Sequence, residues 1–177
     1  MTPGKNNQMR SPVAALTMSA VGFAIWVASE AFAPSPMIPT KGDVPTIGFG
    51  STRYEDGRKV QMGDKPITRQ RAEQLAKNLN SQEEARFKKS LDGAVLYQEE
   101  FDVYMDFVGQ FGYTNWYKSS MRRNILAGQY MAACDSLLKY KYSAGFDCST
   151  PGNKRCPGVW TRQQARHARC VAAQSSH

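Results

Sequence analysis

The chain has 177 residues, 23 Lys and Arg against 15 Asp and Glu, and a formal net charge of +8. That length suits one domain with a sizeable core, and 41% hydrophobic content without repeats or low-complexity tracts excludes a disordered or repeat protein. The positive balance points to an anionic partner such as nucleic acid, anionic lipid or an acidic wall polymer, or else to a solvated basic surface with no specific partner.

The N-terminus opens with the polar "MTPGKNNQMR", and no charge follows from Ser11 to Ser29. The apolar part, Val13 to Ser29, has 17 residues, of which nine are Ala, Gly, Ser or Thr. As a helix it would span about 25 Å, near the lower limit for a bilayer core. Lys5 and Arg10 ahead of it predict a cytoplasmic N-terminus. The segment reads as a cleaved signal peptide, a permanent anchor, or a weak anchor able to leave the bilayer, and the mixed composition fits the last best. A buried core helix is the alternative. The division expected is therefore a signal-anchor segment, 1–29, and a catalytic domain, 30–177.

Residues 30–66 are rich in Pro and Gly, with short β-type runs "VPTIGF" and "RKVQM" around Asp56-Gly57. That dipeptide is a strong hairpin signal, so 43–62 reads as a small antiparallel sheet. From Thr68, a plausible N-cap, the pattern turns helical: Ala72, Leu75, Ala76 and Leu79 recur at helical spacing. A second helix covers Gln98–Phe111, with Gly112 near its end. Ser119 or Ser120 caps a third that stops at Gly128. Gln129–Tyr140 forms a fourth, a loop holding Cys148 and Cys156 follows, and Thr161 caps the last. The fold class is α+β, a small β lobe followed by a larger helical lobe.

Four cysteines, Cys134, Cys148, Cys156 and Cys170, cluster in the last quarter of the chain. No C-x-x-C pair exists, and the two histidines lie at the extreme C-terminus, so a zinc site is not expected. Two disulfides in an oxidising compartment fit better, with four reduced thiols as the alternative. Of the three possible connectivities, Cys148–Cys156 closes a short loop and leaves Cys134–Cys170 to join two helices.

"IGFGST" is not a nucleotide loop, because Arg53 stands where the third glycine of G-x-G-x-x-G would be and a hairpin follows instead of a helix. Glu30 is the first acid of the chain, with Asp43 thirteen and Thr46 sixteen residues later. A carboxylic acid at a helix end and a second carboxylate on a facing strand are what glycosidic hydrolysis needs. One protonates the leaving oxygen and the other positions water, with about 6.5–9.5 Å between them in the inverting case.

Glu30 with "TIGFG", then "FDVYMDFVGQFG", "SSMRRNILAGQYMAACDSLLKY" and "GVWTRQQARHARC", in that order, resembles the family 24 glycoside hydrolases, the phage lysozymes or endolysins. Gln163 stands where a second Arg is common in the family. The Ala/Gly/Ser-rich N-terminus resembles the signal-anchor-release subset. The resemblance implies a β lobe and a helical lobe, and hydrolysis of the β-1,4 bond between N-acetylmuramic acid and N-acetylglucosamine. It makes Glu30 the general acid and Thr46 a holder of the attacking water. The family carboxylate position, six residues before Thr46, is Thr40 here, so either Asp43 is delivered to the site by a rebuilt turn or Thr40 takes the water-side place. Asp43 is the preferred assignment. Arg122 and Arg123 are candidates for a basic partner of Glu30. Gln110 and Tyr113 are candidates for binding sugar, or simple helix-end residues. The partners implied are peptidoglycan glycan strands and, through residues 13–29, the inner membrane; nucleic acid, a metal and a cofactor are not expected, and the chain is expected to be a monomer. The location implied is the inner membrane, then the periplasm, of a host bacterium, with collapse of the proton motive force as the trigger. A lytic transglycosylase and a non-catalytic wall-binding protein are the competing readings.

Overall fold

The structure is a computed structural model that describes residues 9–39 and 42–175. In chain order its elements are β1 (Ser11–Pro12), a 3₁₀ turn (Val13–Ala15), α1 (Ala20–Ala28), β2 (Ala33–Met37), β3 (Thr46–Gly48), α2 (Arg69–Ser90), β4 (Val95–Leu96), α3 (Gln98–Lys118), α4 (Ser120–Leu126), α5 (Tyr130–Ser136), a second 3₁₀ turn (Leu137–Lys139), β5 (Tyr142–Ser143), β6 (Phe146–Asp147) and α6 (Pro157–Ser175). Among the described residues three antiparallel pairs form, β1 with β4, β2 with β3 and β5 with β6. Helices dominate the rest, as the α+β expectation required. Two compact units result: the described parts of Met1–Met18 and Phe87–His177 form one, and Ser19–Arg86 the other.

The first unit is built around α3. Residues Phe101, Val103, Tyr104, Met105, Phe107 and Val108 are all buried, so the first half of this helix is enclosed on every side rather than on one stripe. Phe87 packs edge-on against Phe101 at 5.3 Å and lies 4.7 Å from Trp116. The Trp116 indole donates to Ser90 Oγ at 2.9 Å, so the one polar atom of that ring is satisfied. At Gly112 the backbone turns out of the helix, with φ 81° and ψ 158°, and Asn115 Nδ2 donates to the Phe111 carbonyl at 2.7 Å. The regular run therefore stops at Phe111, where the sequence pattern ends.

Other expectations hold at their caps. Thr68 Oγ1 accepts from Arg71 N at 3.2 Å at the head of α2, and Ser119 Oγ accepts from Arg122 N at 3.1 Å at the head of α4. Both disulfides pair as expected, Cys134–Cys170 and Cys148–Cys156. The last helix differs: it starts at Pro157, four residues before Thr161, because proline lacks only a donor that the first turn leaves unused. The loop before it contains the β5–β6 hairpin, turned by Ala144 and Gly145, both at positive φ. The Gln129–Tyr140 helix is shorter, with its end tightened into the second 3₁₀ turn.

Residues 13–29 depart most from expectation. They are not one helix: a 3₁₀ turn and an extended stretch precede α1, which has only nine residues. The break follows from Ser19, whose hydroxyl accepts from Gly22 N at 3.0 Å and starts α1 afresh. No helix among the described residues is long and apolar enough to cross a membrane. Lys5 lies outside the described residues.

One buried network joins α3 to α6. Asp106 and Arg166 are 2% and 1% exposed. Arg166 Nε donates to Asp106 Oδ2 and Arg162 Nη2 to Oδ1, each at 2.7 Å. Gln163, fully buried, donates to the Leu137 carbonyl at 2.8 Å and accepts from Arg166. Burial alone would raise the Asp106 carboxyl; the hydrogen bond and charge of Arg166, with those of Arg162, reverse this and hold it below its ordinary 3.8. A carboxyl lowered on folding contributes stability above its unfolded value, and that contribution is lost as pH falls through the folded one. The melting temperature is therefore expected to hold above pH about 5 and to drop below pH 3.8. Asp106→Asn should be about 3–5 kcal/mol less stable at neutral pH, because it breaks a buried pair, and should lose less over the acid window. Thermal melts of both proteins across pH check this.

Candidate active site

Glu30 is set by the end of α1. That helix is held by Gly22, Trp26 and Val27, all buried. Its last turn closes through Ser29 N to the Ile25 carbonyl at 3.2 Å and Ser29 Oγ to the Trp26 carbonyl at 2.7 Å. Glu30 N then donates to the Val27 carbonyl at 3.2 Å. The backbone of Glu30 is thus fixed by the helix end, and its side chain is half-buried.

β2 leaves this helix end and pairs with β3. Ala33, three residues after Glu30, stands opposite Gly48, and Met37 stands opposite Thr46. The two pairs are out of step, so β2 carries extra residues between them. Pro34 and Pro36 in "APSPM" supply no N–H there, and the ladder is irregular where they stand. Thr46 Oγ1 donates to the Met37 carbonyl at 3.3 Å, and Thr46 is half-buried. Asp43 is exposed and makes no hydrogen bond or ion pair with the described residues. Thr40, the alternative water-side residue, lies outside the described residues. Glu30, Asp43 and Thr46 all belong to the Ser19–Arg86 unit.

The two glycines of "GFG" have different duties. Gly48 has φ +68°, and a Cβ placed on it would lie 2.8 Å from Ala72 Cβ on α2. Gly50 also has a positive φ, +83°, but nothing lies within 4 Å of its Cβ position. Gly48 is therefore the point where the strand rests on the helix. Beyond it, Ile47 and Ser51 exchange backbone hydrogen bonds at 3.0 Å. The expected hairpin over 43–62 is present at its tip only: Arg53 bridges Lys59 and the chain turns at Gly57. β3 pairs with 33–37 instead, a partner that two prolines conceal in the sequence.

The remaining candidates lie in the other unit. The Gln110 side-chain oxygen accepts from Arg166 Nη1 at 2.5 Å, so it is committed to the buried Asp106 network. Tyr113, half-buried just beyond the Gly112 break, lies 5.8 Å from the Tyr117 ring. Arg122 donates through Nε to the Ser90 carbonyl at 2.8 Å and stands over the Tyr117 ring, and Arg123 donates to the Lys118 carbonyl at 2.8 Å. Arg166 and Asp106 were not singled out from the sequence as partners of Gln110. The available signal is an acid at core spacing inside the apolar run "FDVYMDFVG".

The sequence matches the phage lysozyme family over residues 28–166. The chain belongs to the phage lysozyme family. The match opens two residues before Glu30 and includes Thr46, Gln110 and Tyr113. Solved structures agree on the fold. An endolysin from the Escherichia coli O157:H7 phage FAHEc1 superimposes with a TM-score of 0.72 at 20% identity, covering 92% of this chain and 96% of that one. A P22 lysozyme mutant gives 0.71 at 24% identity, covering 88% and 99%. The active form of the P1 phage endolysin Lyz gives 0.69 at 14% identity, covering 95% and 98%. A comparison with curated proteins finds no match.

Gly48→Ala is expected to cost about 1–3 kcal/mol, because it combines a left-handed backbone with overpacking against Ala72. Gly50→Ala, strained only in its backbone, should cost roughly 1 kcal/mol. Urea unfolding of the two variants separates these effects.

Proposed function

We propose that the chain is a peptidoglycan-degrading muramidase that hydrolyses the β-1,4 bond between N-acetylmuramic acid and N-acetylglucosamine during host lysis. The observation that carries this reading is the family match across 28–166, with Glu30 fixed at a helix end and Thr46 on the strand that follows in the same unit. Glu30 is the general acid. As such it must hold a proton until the glycosidic oxygen leaves. Asp43 and Thr46 hold the attacking water on the other face of the sugar, and Tyr113 binds the glycan, Gln110 being engaged by Arg166. No cofactor enters the reaction.

Before lysis the chain is held in the inner membrane by residues 13–29, with its N-terminus in the cytoplasm, and it acts in the periplasm after release. Supporting this are the uncharged stretch from Ser11 to Ser29, the bases Lys5 and Arg10 ahead of it, and two disulfides suited to an oxidising compartment. The fold described above then belongs to the released state, since α1 is too short to span a bilayer.

Glu30→Gln is expected to lower the rate of clearing of permeabilised bacteria at least about 1000-fold, the loss of a general acid with its positioned water. Wild-type digests should yield products with reducing ends; 1,6-anhydro ends in the mass spectrum would instead establish the transglycosylase. Asp43→Asn should be inactive and Thr40→Ala active on cell walls, and the reverse pattern would move the water-side role to Thr40. Replacing several Ala and Gly of residues 13–29 with Leu should keep the chain in the membrane fraction and prevent lysis.

A further inference from the structure

Arg10 stands ahead of the apolar stretch, where a positive charge sets orientation in a bilayer. In the folded chain it has a second engagement. Its Nε and Nη2 donate to the two carboxylate oxygens of Glu100 at 3.0 and 3.1 Å. Nη2 also donates to Gln174 Oε1. The guanidinium carbon lies 4.2 Å from the Tyr97 ring centre and 3.6 Å from that of Tyr130.

Glu100 is fully buried, and Arg10 supplies its charge partner. The carboxylate accepts two more hydrogen bonds, from Tyr97 N at 2.7 Å and from Gln174 Nε2 at 2.6 Å. Residues beyond Arg10 are held to the same unit. Ser11 and Pro12 pair with Leu96 and Val95, and Val13 N donates to the Ala94 carbonyl at 2.9 Å. Gln98 Nε2 donates to the Thr17 carbonyl at 2.8 Å, and Val13 and Leu16 are buried in the helical core.

The two engagements of Arg10 exclude each other. With residues 13–29 across a bilayer and the N-terminus in the cytoplasm, about 30 Å of hydrocarbon separates Arg10 from the periplasmic domain. Glu100 then stays without its guanidinium, and a buried carboxylate without its cation is strongly destabilising. We propose that Arg10 is a latch: its docking on Glu100 makes exit of the leader from the membrane and completion of the helical unit one coupled event. The proposal rests on the anchoring reading given above. It also accounts for the residue type. Lysine would keep the charge that sets orientation, but it lacks the fork that meets both carboxylate oxygens and the plane that stacks between two rings.

The test is a double-mutant cycle in the full chain, with Arg10→Lys, Glu100→Gln and the pair. It is read by thermal melting of the released protein and by membrane fractionation of expressing cells. Arg10→Lys is expected to lower the melting temperature by about 5 °C or more and to enlarge the membrane-bound fraction. In the Glu100→Gln background the same change should lower it by less than half as much. An Arg10→Lys protein that melts like wild type, losses that add in full, or an unchanged membrane fraction would each overturn the latch. A wild-type chain absent from the membrane fraction overturns the anchoring reading, and the latch with it. An anchored wild type with additive losses removes the latch alone. The products released by wild type from purified peptidoglycan judge the muramidase reading separately.

Discussion

The helical unit is organised by two carboxylates buried on one helix. Glu100 and Asp106 lie within two turns of each other on α3, in a core of Phe, Tyr, Met and Val. A buried carboxylate needs a cation and a full set of hydrogen-bond donors. Each finds an arginine far away in the chain: Glu100 is met by Arg10, 90 positions earlier, and Asp106 by Arg166, 60 positions later. The N-terminal segment and the C-terminal helix are thereby placed in register on α3. Arg162 and Arg166 stand one turn apart on α6 and in this register both reach Asp106, so sliding α6 by one turn would leave the carboxylate one arginine instead of two, whereas a purely apolar contact would tolerate the slip.

The Ser19–Arg86 unit is held differently. Glu30 is fixed through backbone hydrogen bonds at the end of α1, and the strand carrying Thr46 is seated by Gly48 against Ala72. The turn beyond it is gathered by Asp64, which accepts from Tyr54 at 2.9 Å, from Arg58 at 3.0 Å and from Gln61 N at 2.9 Å. Backbone geometry and close packing, not buried charge, set the acid relative to the strand.

Much of the helical part was legible because local rules govern it. Thr68, Ser119 and Gly112 act through contacts within a few residues, and apolar spacing marks the faces. The cysteine pairing was legible too, since a short loop and two helices leave few choices. What escaped depends on distant partners. The β2 strand hides behind Pro34 and Pro36, and only pairing with Thr46–Gly48 makes it a strand. Arg10 reads as a flanking charge until Glu100 is seen beside it. The apolar run 13–29 reads as one span by composition, yet Ser19 divides it and the parts go to different units. At the site, Glu30 and Thr46 stood out through the family resemblance. Asp43 did not, because it lies outside any helix or strand and no periodicity places it.

The positions of the disulfides separate two kinds of maturation. Both bridges lie between Cys134 and Cys170, so neither ties down the leader, α1 or the strand that bears Thr46. Oxidation therefore places no covalent constraint on the first thirty residues. A thiol assay would report closed bridges whether or not Glu30 had reached its place. Covalent closure secures residues 134–170, and the seating of Glu30 and Thr46 is left to reversible contacts.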